Sequence, residues 1–283
     1  MAPLRIGFVT CVQLGLSCME EIDAAGGRLD AVLTLTDEMG RAKSGRVHVD
    51  AFCADRAIPL AKFRNVNEPA SLDWLRQQDL DWLFIIGWSQ IAHPGVLALL
   101  RRGAIGMHPT LLPEGRGRSA VPWAILKDLR VTGVSMFKLD AGVDTGPLLG
   151  QEEIRVEPRE TATTLYGKVE QAHRTLIRRT WPLLVTDALQ VVPQDHSRAT
   201  VWPGRTPADG RLDLTMTVGC ADRLVRAVTH PYPGAYFDEG STRWRIWSAA
   251  PAIDLPTDAD AMRLRFADGD LAVLQAEQER IPG

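Results

Sequence analysis

The sequence is poor in several residue types: its 283 residues include four cysteines, five lysines and two asparagines. The cysteines are scattered and form no C-x-x-C pair, which argues against both a zinc knuckle and a disulfide framework. We therefore expect reduced thiols, as is usual in a cytoplasm, and no metal site. The N-terminus lacks the basic region and the cleavage site of a signal peptide, which also favours a cytoplasmic protein.

A long hydrophobic run and an excess of positive charge are missing as well. The strongly apolar run from Leu83 to Trp88 is far shorter than the roughly 18 residues of a membrane helix. The formal net charge is −3, and residues 201–283 carry 9 arginines, no lysine and 12 acidic residues. A protein that grips a phosphate backbone usually has a basic surface. We expect neither a membrane nor a nucleic acid as a partner.

The common nucleotide-binding motifs are also absent. The turn after the first apolar run reads TCVQLGLSC, with one glycine where a dinucleotide fold carries G-x-G-x-x-G. The sequence has neither the P-loop pattern nor the G-x-S-x-G elbow of an α/β hydrolase. These absences count against the commonest ligands of an α/β sheet, but not against the sheet itself.

What the first 190 residues do contain is an alternation of apolar runs with amphipathic stretches. This alternation predicts a doubly wound, Rossmann-like α/β domain. Strands are predicted at 4–9, 31–36, 81–88, 104–107, 132–139 and 147–156, and helices at 14–25, 47–57, 71–78, 94–101 and 164–189. Pro182 should kink or end the last of these helices.

The character of the sequence changes after Gln190, where loop-like sequence leads into a second, smaller unit. One helix at 218–228 and short strands at 244–247, 262–266 and 271–274 predict a mostly β domain, with HPYPGAYF as a turn. We therefore predict two domains, at residues 1–195 and 196–283.

Two segments follow predicted strands at the edge of the sheet where ligands usually bind. MHPTLLPEGRGRSAVPWAI ends and follows the strand at 104–107, and LDAGVDTGPLLGQ does the same for the strand at 132–139. The first offers His108, and the second offers Asp140 and Asp144. A histidine with a nearby carboxylate is the standard pair for proton transfer, because the carboxylate fixes the tautomer and supports the imidazolium. Spacing alone also allows a structural histidine beside proline.

The same loops carry a resemblance to a known family. HPTLLPEGRG and GVDTGPLLGQ resemble the signature loops of the folate-dependent formyltransferases. RTPADGRLDL and RLVRAVTHPYPGAYF resemble the second-domain signature of the members that act on methionyl-tRNA and on UDP-4-amino-4-deoxy-arabinose. The resemblance covers nearly the whole chain. It implies a Rossmann-like catalytic domain followed by a small, mostly β, OB-like domain.

The resemblance also implies a mechanism and shows one departure from it. The family uses an Asn, His and Asp triad to move a formyl group from 10-formyltetrahydrofolate to an amine, without a metal. His108 and Asp144 match the family His and Asp, whereas Gly106 stands at the position of the family Asn. The two asparagines of the chain, Asn65 and Asn67, lie far upstream.

Three interpretations of Gly106 stay open. Another donor, such as a backbone N–H, Ser89 or Gln90, replaces the amide; the acyl donor or the reaction is different; or the chain binds ligands without turnover. The loss of one oxyanion donor typically costs about 10²–10³ in rate. The retained His108 and Asp144 favour an enzyme.

The other candidate residues follow from the chemistry of their side chains and from the resemblance. Between glycines, Arg116 and Arg118 are expected to form a flexible basic loop that binds a phosphate or carboxylate of the substrate. Cys11 and Gln13 end the first strand and are expected to line the acceptor site. The resemblance implies a donor pocket formed by Trp88, Ser89, Gln90, Ile91, Asp140 and Val143. Core packing of Trp88 and a turn role for Asp140 are the alternatives.

The acceptor is expected to be a small-molecule amine. A nucleotide-linked amino sugar comes first, because the nearest motif resemblance is to the amino-arabinose enzyme. A hydroxyornithine-type amine or another natural-product amine is the alternative. Initiator tRNA ranks lower, since the second domain is acidic. A homo-oligomer stays open.

Overall fold

The computed structural model describes residues 3–40, 45–254 and 262–281. The chain forms two compact units. The first consists of Met1–Gly117, Gly133–Ile154 and Lys168–Val201, and the second of Arg118–Thr132, Arg155–Gly167 and Trp202–Gly283. The predicted division between residues 195 and 196 lies close to the last of these crossings, and as a domain boundary it stays a prediction.

The helices and strands are named here in chain order. The helices are α1 (Gln13–Ala24), α2 (Asp37–Gly40), α3 (Asp50–Asp55), α4 (Pro69–Gln78), α5 (Pro94–Leu97), α6 (Ala120–Leu126), α7 (Ala162–Val185) and α8 (Val218–Val228). The strands are β1 (Ile6–Val9), β2 (Ala31–Leu35), β3 (Leu60–Phe63), β4 (Trp82–Ile85), β5 (Gly103–His108), β6 (Arg116–Gly117), β7 (Val131–Lys138), β8 (Leu148–Arg155), β9 (Val201–Trp202), β10 (Ala235–Glu239), β11 (Thr242–Pro251), β12 (Arg263–Phe266) and β13 (Gly269–Arg280).

The main sheet has seven strands in the order β3-β2-β1-β4-β5-β7-β8. The first five strands in this spatial order, β3-β2-β1-β4-β5, pair in parallel, and β7 runs antiparallel to β5. The α/β class is therefore confirmed, with an antiparallel pairing that the doubly wound prediction did not include. Strand β3 was not predicted: no strand was expected between the helices at 47–57 and 71–78.

The centre of this sheet is built from strands that are buried along their length. All four residues of β1 are buried, and the rings of Phe8 and Phe84 stack with centroids 5.7 Å apart. Strands buried on both faces read as continuous apolar runs, which is why β1 and β4 were predictable. The register pairs Gly7 with Leu83 and Ile85 with Gly106, so β1, β4 and β5 end at the same edge.

Helix α7 has the apolar face that its sequence predicts. Leu165, Val169, Ala172 and Leu176 are all buried. Pro182 does not end the helix, which continues to Val185 and stops short of the predicted end at residue 189. The proline removes only its own N–H bond, and its carbonyl still accepts from the Thr186 N–H, so the last turn persists.

The second unit has a four-stranded sheet in the order β10-β11-β13-β12, with antiparallel pairings and α8 packed on β11. This confirms a mostly β second domain, while closure into an OB-like barrel stays a prediction. Strand β10 was not predicted, because HPYPGAYF was taken as a turn, whereas its last three residues begin this strand. Asp238 pairs there with Arg243 across the two strands, 2.8 Å apart.

In the described ranges, none of the helices combines the length and the apolarity that crossing a membrane requires.

Candidate active site

His108 is the last residue of β5, at the carboxyl end of a central strand. Its side chain is buried, and its Nε2 lies 2.8 Å from the carbonyl oxygen of Gly115. A carbonyl only accepts hydrogen bonds, so Nε2 carries the proton in this contact. The neutral ring then has its lone pair on Nδ1, and this nitrogen is the one that can accept a proton.

Asp144 faces that lone pair from the loop between β7 and β8. Its Oδ2 lies 3.6 Å from His108 Nδ1 and accepts a hydrogen bond of 2.9 Å from the Gly117 N–H. Asp144 has φ +54°, a left-handed conformation that aspartate tolerates better than most residues. The carboxylate is therefore placed to stabilise a proton that arrives on Nδ1.

Gly106 lies in β5 two residues before His108, and apolar side chains fill the space beside it. A Cβ at this position would lie 2.7 Å from Leu139 Cδ2 and 3.3 Å from Phe137 Cζ. Both residues come from the antiparallel neighbour β7 or directly follow it. The room that a larger side chain needs at 106 is therefore occupied by hydrocarbon.

Arg116 differs from the expectation of a flexible basic loop. It lies in strand β6, is 7% exposed, and donates from Nη2 to Gln194 Oε1 (2.6 Å) and to His196 Nδ1 (3.0 Å). Its flanking glycines are the ones that bond His108 and Asp144. Arg118 belongs to the second compact unit, where its N–H donates to Trp202 O. A substrate-binding role for either arginine stays a prediction.

Cys11 and Gln13 lie where β1 ends and α1 begins. The Cys11 thiol is buried and donates to the carbonyl of Gly87, 3.6 Å away, which joins this turn to the end of β4. The Gln13 side chain donates to Ser17 Oγ within α1. The structure thus gives both side chains local partners, and an acceptor-binding role stays a prediction.

The segment after β4 is tied to the segment after β3 by side-chain amides. Gln90 accepts from the Val66 N–H (2.9 Å) and donates to Arg64 O (2.8 Å). Asn67 donates to Ile91 O and accepts from the His93 N–H. The Gln90 oxygen and one of its two amide N–H groups therefore hold these segments together.

Of the other residues predicted to bind the donor, two pack or turn the chain and the rest are open to solvent. Trp88 packs against the apolar core beside β4, and Asp140 accepts from the Gly142 N–H and the Thr145 hydroxyl in a tight turn. Ser89, Ile91 and Val143 are exposed. Donor binding by these residues stays a prediction.

Gln194 and His173 are two neighbours of the site that the sequence analysis missed. Gln194 is buried, and its Nε2 donates to the carbonyls of Asp144 (3.0 Å) and Gly146 (2.6 Å). His173 is buried in α7, where loss of solvation lowers its pKa to about 4 and keeps a second positive charge away from His108. Gln194 lies in a loop and carries no periodic signal, so only the folded chain reveals its contacts.

Among the described residues, no group of three or more His, Cys, Asp or Glu side chains is arranged to hold a metal ion.

Two family models match the sequence of this chain. One, described as "Formyl transferase", matches residues 21–180, and the other, described as "Formyl transferase, C-terminal domain", matches residues 205–280. Together they cover most of the chain, and the first contains Gly106, His108 and Asp144.

Several solved structures are similar in fold over the whole chain. A sugar 3N-formyl transferase, WlaRD, with dTDP and 5-N-formyl-THF has a TM-score of 0.71 at 14% identity, covering 98% of each chain. An N-formyltransferase from Helicobacter canadensis with folinic acid and dTDP-3-aminofucose has a TM-score of 0.71 at 14% identity, covering 97% of this chain and 100% of that one. A methionyl-tRNA formyltransferase from Clostridium thermocellum has a TM-score of 0.65 at 15% identity, covering 99% and 100%.

Proposed function

This chain belongs to the formyl transferase family, and from that premise we propose that it moves a formyl group from 10-formyltetrahydrofolate to the amine of a nucleotide-linked amino sugar. It is a folate-dependent enzyme of that family. The donor in its 10-formyl form and the sugar acceptor are the proposed parts.

The observation that carries the proposal is the pairing of His108 with Asp144 at the end of β5. An attacking amine must lose a proton while its nitrogen bonds to the formyl carbon and the bond from that carbon to the donor nitrogen breaks. The lone pair on His108 Nδ1 takes up this proton, and the Asp144 carboxylate 3.6 Å away stabilises the resulting imidazolium. The same proton can then pass to the departing donor nitrogen, so atoms and charge balance.

The negative charge on the formyl oxygen needs a hydrogen-bond donor, and Gly106 has no side chain to supply one. The Gln90 amide nitrogen uses one of its two N–H groups on Arg64 O. We assign this role to a backbone N–H at the end of β5, to Ser89 or to the second N–H of Gln90. His108 in its protonated form is a further source of positive charge at the same edge.

The segment after β4 and the loop between β7 and β8 have features that fit a flat heteroaromatic donor. Ile91 is 56% exposed and Val143 49% exposed, so both present apolar surface to solvent. The indole N–H of Trp88 is buried without a hydrogen-bond partner among the described residues. An unpaired buried donor usually signals a missing acceptor, and a pterin ring carries several.

A sugar acceptor is supported by the ligands of similar structures and by the net negative charge of this chain. Two of the similar structures contain dTDP or a dTDP-amino sugar. The chain has a net charge of −3, and its last 83 residues have more acidic than basic side chains. A tRNA would need a basic surface to bind the phosphate backbone. A hydroxyornithine-type amine remains the second choice, with no observation that favours it.

A cytoplasmic location is part of the proposal. All four cysteines lie in the described ranges and are thiols, which suits a reducing compartment.

The test is incubation of the protein with 10-formyltetrahydrofolate and a panel of amines, with products read by mass spectrometry. The panel holds UDP- and dTDP-linked amino sugars, hydroxyornithine and charged initiator tRNA. We expect one added formyl group on a nucleotide-linked amino sugar and none with the variant His108→Ala. The matched control is His48→Ala, because His48 is an exposed histidine of the same unit. A formylated tRNA, or full activity in His108→Ala, would contradict the proposal.

A further inference from the structure

Asp144 is held in place by more than its contact with His108. Its backbone is in the left-handed region, at φ +54°, which aspartate adopts more readily than most residues but at some cost. The carboxylate must also point at the imidazole to stabilise a proton there. Something in the fold therefore has to fix both the backbone and the side chain of this residue.

Gln194 makes the contacts that do this for the backbone. Its Nε2 donates to the carbonyls of Asp144 and Gly146, 3.0 and 2.6 Å away, and so spans the turn that begins at Asp144. We define these two hydrogen bonds as the Gln194 bridge. Gln194 is 6% exposed, so water does not compete for them.

Arg116 fixes the orientation of the Gln194 amide. Its Nη2 donates to Gln194 Oε1 over 2.6 Å, and a guanidinium cannot accept, so the amide oxygen must face it. The amide nitrogen is then left facing the two carbonyls. Arg116 is itself buried, which makes a flip of the amide costly because a buried N–H would lose its partner.

The residues on either side of Arg116 close a ring of contacts. Gly115 accepts from His108 Nε2 and Gly117 donates to Asp144 Oδ2, while Arg116 between them holds Gln194. Gly115 and the two residues of strand β6 thus contact the histidine, the bridge and the carboxylate in turn. Because of this ring, a shift of Gln194 also displaces Asp144.

We propose that Gln194 is a positioning residue of this active site: held by Arg116, it fixes the Asp144 turn so that the carboxylate faces His108. The kinetic part of this inference rests on the proposed function. The structural part does not, because the Gly117 N–H reports directly on where the Asp144 carboxylate lies.

The first test uses hydrogen exchange of the Gly117 amide and needs no substrate. The variant Gln194→Met keeps the length of the side chain and removes both donors. We expect the Gly117 N–H to exchange about tenfold faster or more, because its acceptor moves. The matched control is Gln151→Met, which removes two similar hydrogen bonds, to Leu112 O and Ser135 Oγ. Unchanged Gly117 exchange in Gln194→Met, or equal changes in both variants, would overturn the inference.

The second test is kinetic. Misplacement of a catalytic group by about 1 Å can cost 100-fold, so we expect kcat of Gln194→Met to fall about 10- to 100-fold. KM for either substrate should change less than about threefold, and Gln151→Met should keep the unaltered kcat. In an Asp144→Asn background the added loss from Gln194→Met should shrink below about threefold, since the two changes act on one contact. An undiminished loss in that background overturns the inference.

A third variant guards against failure to fold. Gln194→Glu keeps the shape and pairs with Arg116, but its carboxylate cannot donate to the two carbonyls. We expect the same faster Gly117 exchange and the same fall in kcat; full protection and full kcat would refute the role of the bridge. If the unaltered protein transfers no formyl group, the proposed function fails, and the exchange test still decides the inference.

Discussion

Replacing Gly106 by asparagine would put a side chain where two apolar side chains already stand. The new Cβ would lie 2.7 Å from Leu139 Cδ2 and 3.3 Å from Phe137 Cζ. The first distance is shorter than carbon atoms tolerate, so Leu139 has to move. Phe137 is buried and has little room to give.

The expected cost is that of overpacking a well-filled core, about 1–3 kcal/mol. For a unit of this size that corresponds to a fall in Tm of roughly 3 to 9 °C. His108 lies two residues further along the same strand, so a displaced β5 also displaces the imidazole. We therefore expect Gly106→Asn alone to lower both Tm and kcat.

The partner change is Leu139→Ala, which removes the atom that the new Cβ would meet. Leu139 is half-buried, and its loss alone should cost about 1–2 kcal/mol. In the double variant the asparagine fills the space that the alanine leaves. We expect the two costs to be less than additive by about 1 kcal/mol or more.

The assay is a thermal unfolding cycle of four proteins, read together with kcat for formyl transfer. Additive costs would refute the reasoning, because they would mean that position 106 and Leu139 do not compete for space. So would a single variant Gly106→Asn as stable and as active as the unaltered protein. Recovery of kcat in the double variant would show that the site can also work with an amide at 106.

Three further outcomes follow from the structure. Asp144→Asn should keep Tm within about 2 °C, because asparagine also tolerates φ +54°. Asp144→Ala should lower the free energy of unfolding by about 1–2 kcal/mol more. Both variants should lower kcat for formyl transfer at least about 100-fold. The pKa of His173 is about 4 in the folded chain and near 6.5 in the unfolded chain, so the unfolded state binds the proton first as the pH falls. The free energy of unfolding should therefore decrease as the pH drops below 6.5. Between pH 6.5 and 5 the loss should be about 2 kcal/mol in denaturant titrations, and it should vanish in His173→Gln. Cys220 is exposed, and hydrogen bonds with Thr217 and Arg223 lower the pKa of its thiol, whereas burial raises the pKa values of Cys18 and Cys53. Cys220 should therefore react first with a thiol reagent, well ahead of the other two. A fast phase that persists in Cys220→Ser would refute this.

The strands that could be predicted are those that are buried and therefore appear in the sequence as continuous apolar runs. Leu83, Phe84 and Ile85 of β4 are buried in an unbroken run. Strand β3 was missed because its residues are half-buried and include Lys62, which pairs with acidic residues at the surface. An edge strand of this kind has no continuous apolar run from which it could be predicted.

In the candidate site, the proximity of His108 and Asp144 was predictable from motifs, whereas the contacts made by packing were not. His108 and Asp144 follow from two loop motifs, and the structure brings them together. The burial of Arg116 and its bond to Gln194, 78 residues away in sequence, depend on how distant loops meet. The sequence likewise shows that Gly106 lacks an amide, but only the fold shows that Leu139 fills the gap.

The location of Gln194 also bears on how such proteins can exchange parts during evolution. It falls in the stretch 181–204, which neither family match includes, after the end of α7 at Val185. A crossover near residue 190 would transfer the sheet, His108 and Asp144 without the amide that spans the Asp144 turn. A crossover after Val201 would carry it along. If Gln194 has the proposed role, recombinants of the second kind keep the contacts around Asp144, and the favourable junction lies after Val201 and not at the end of α7.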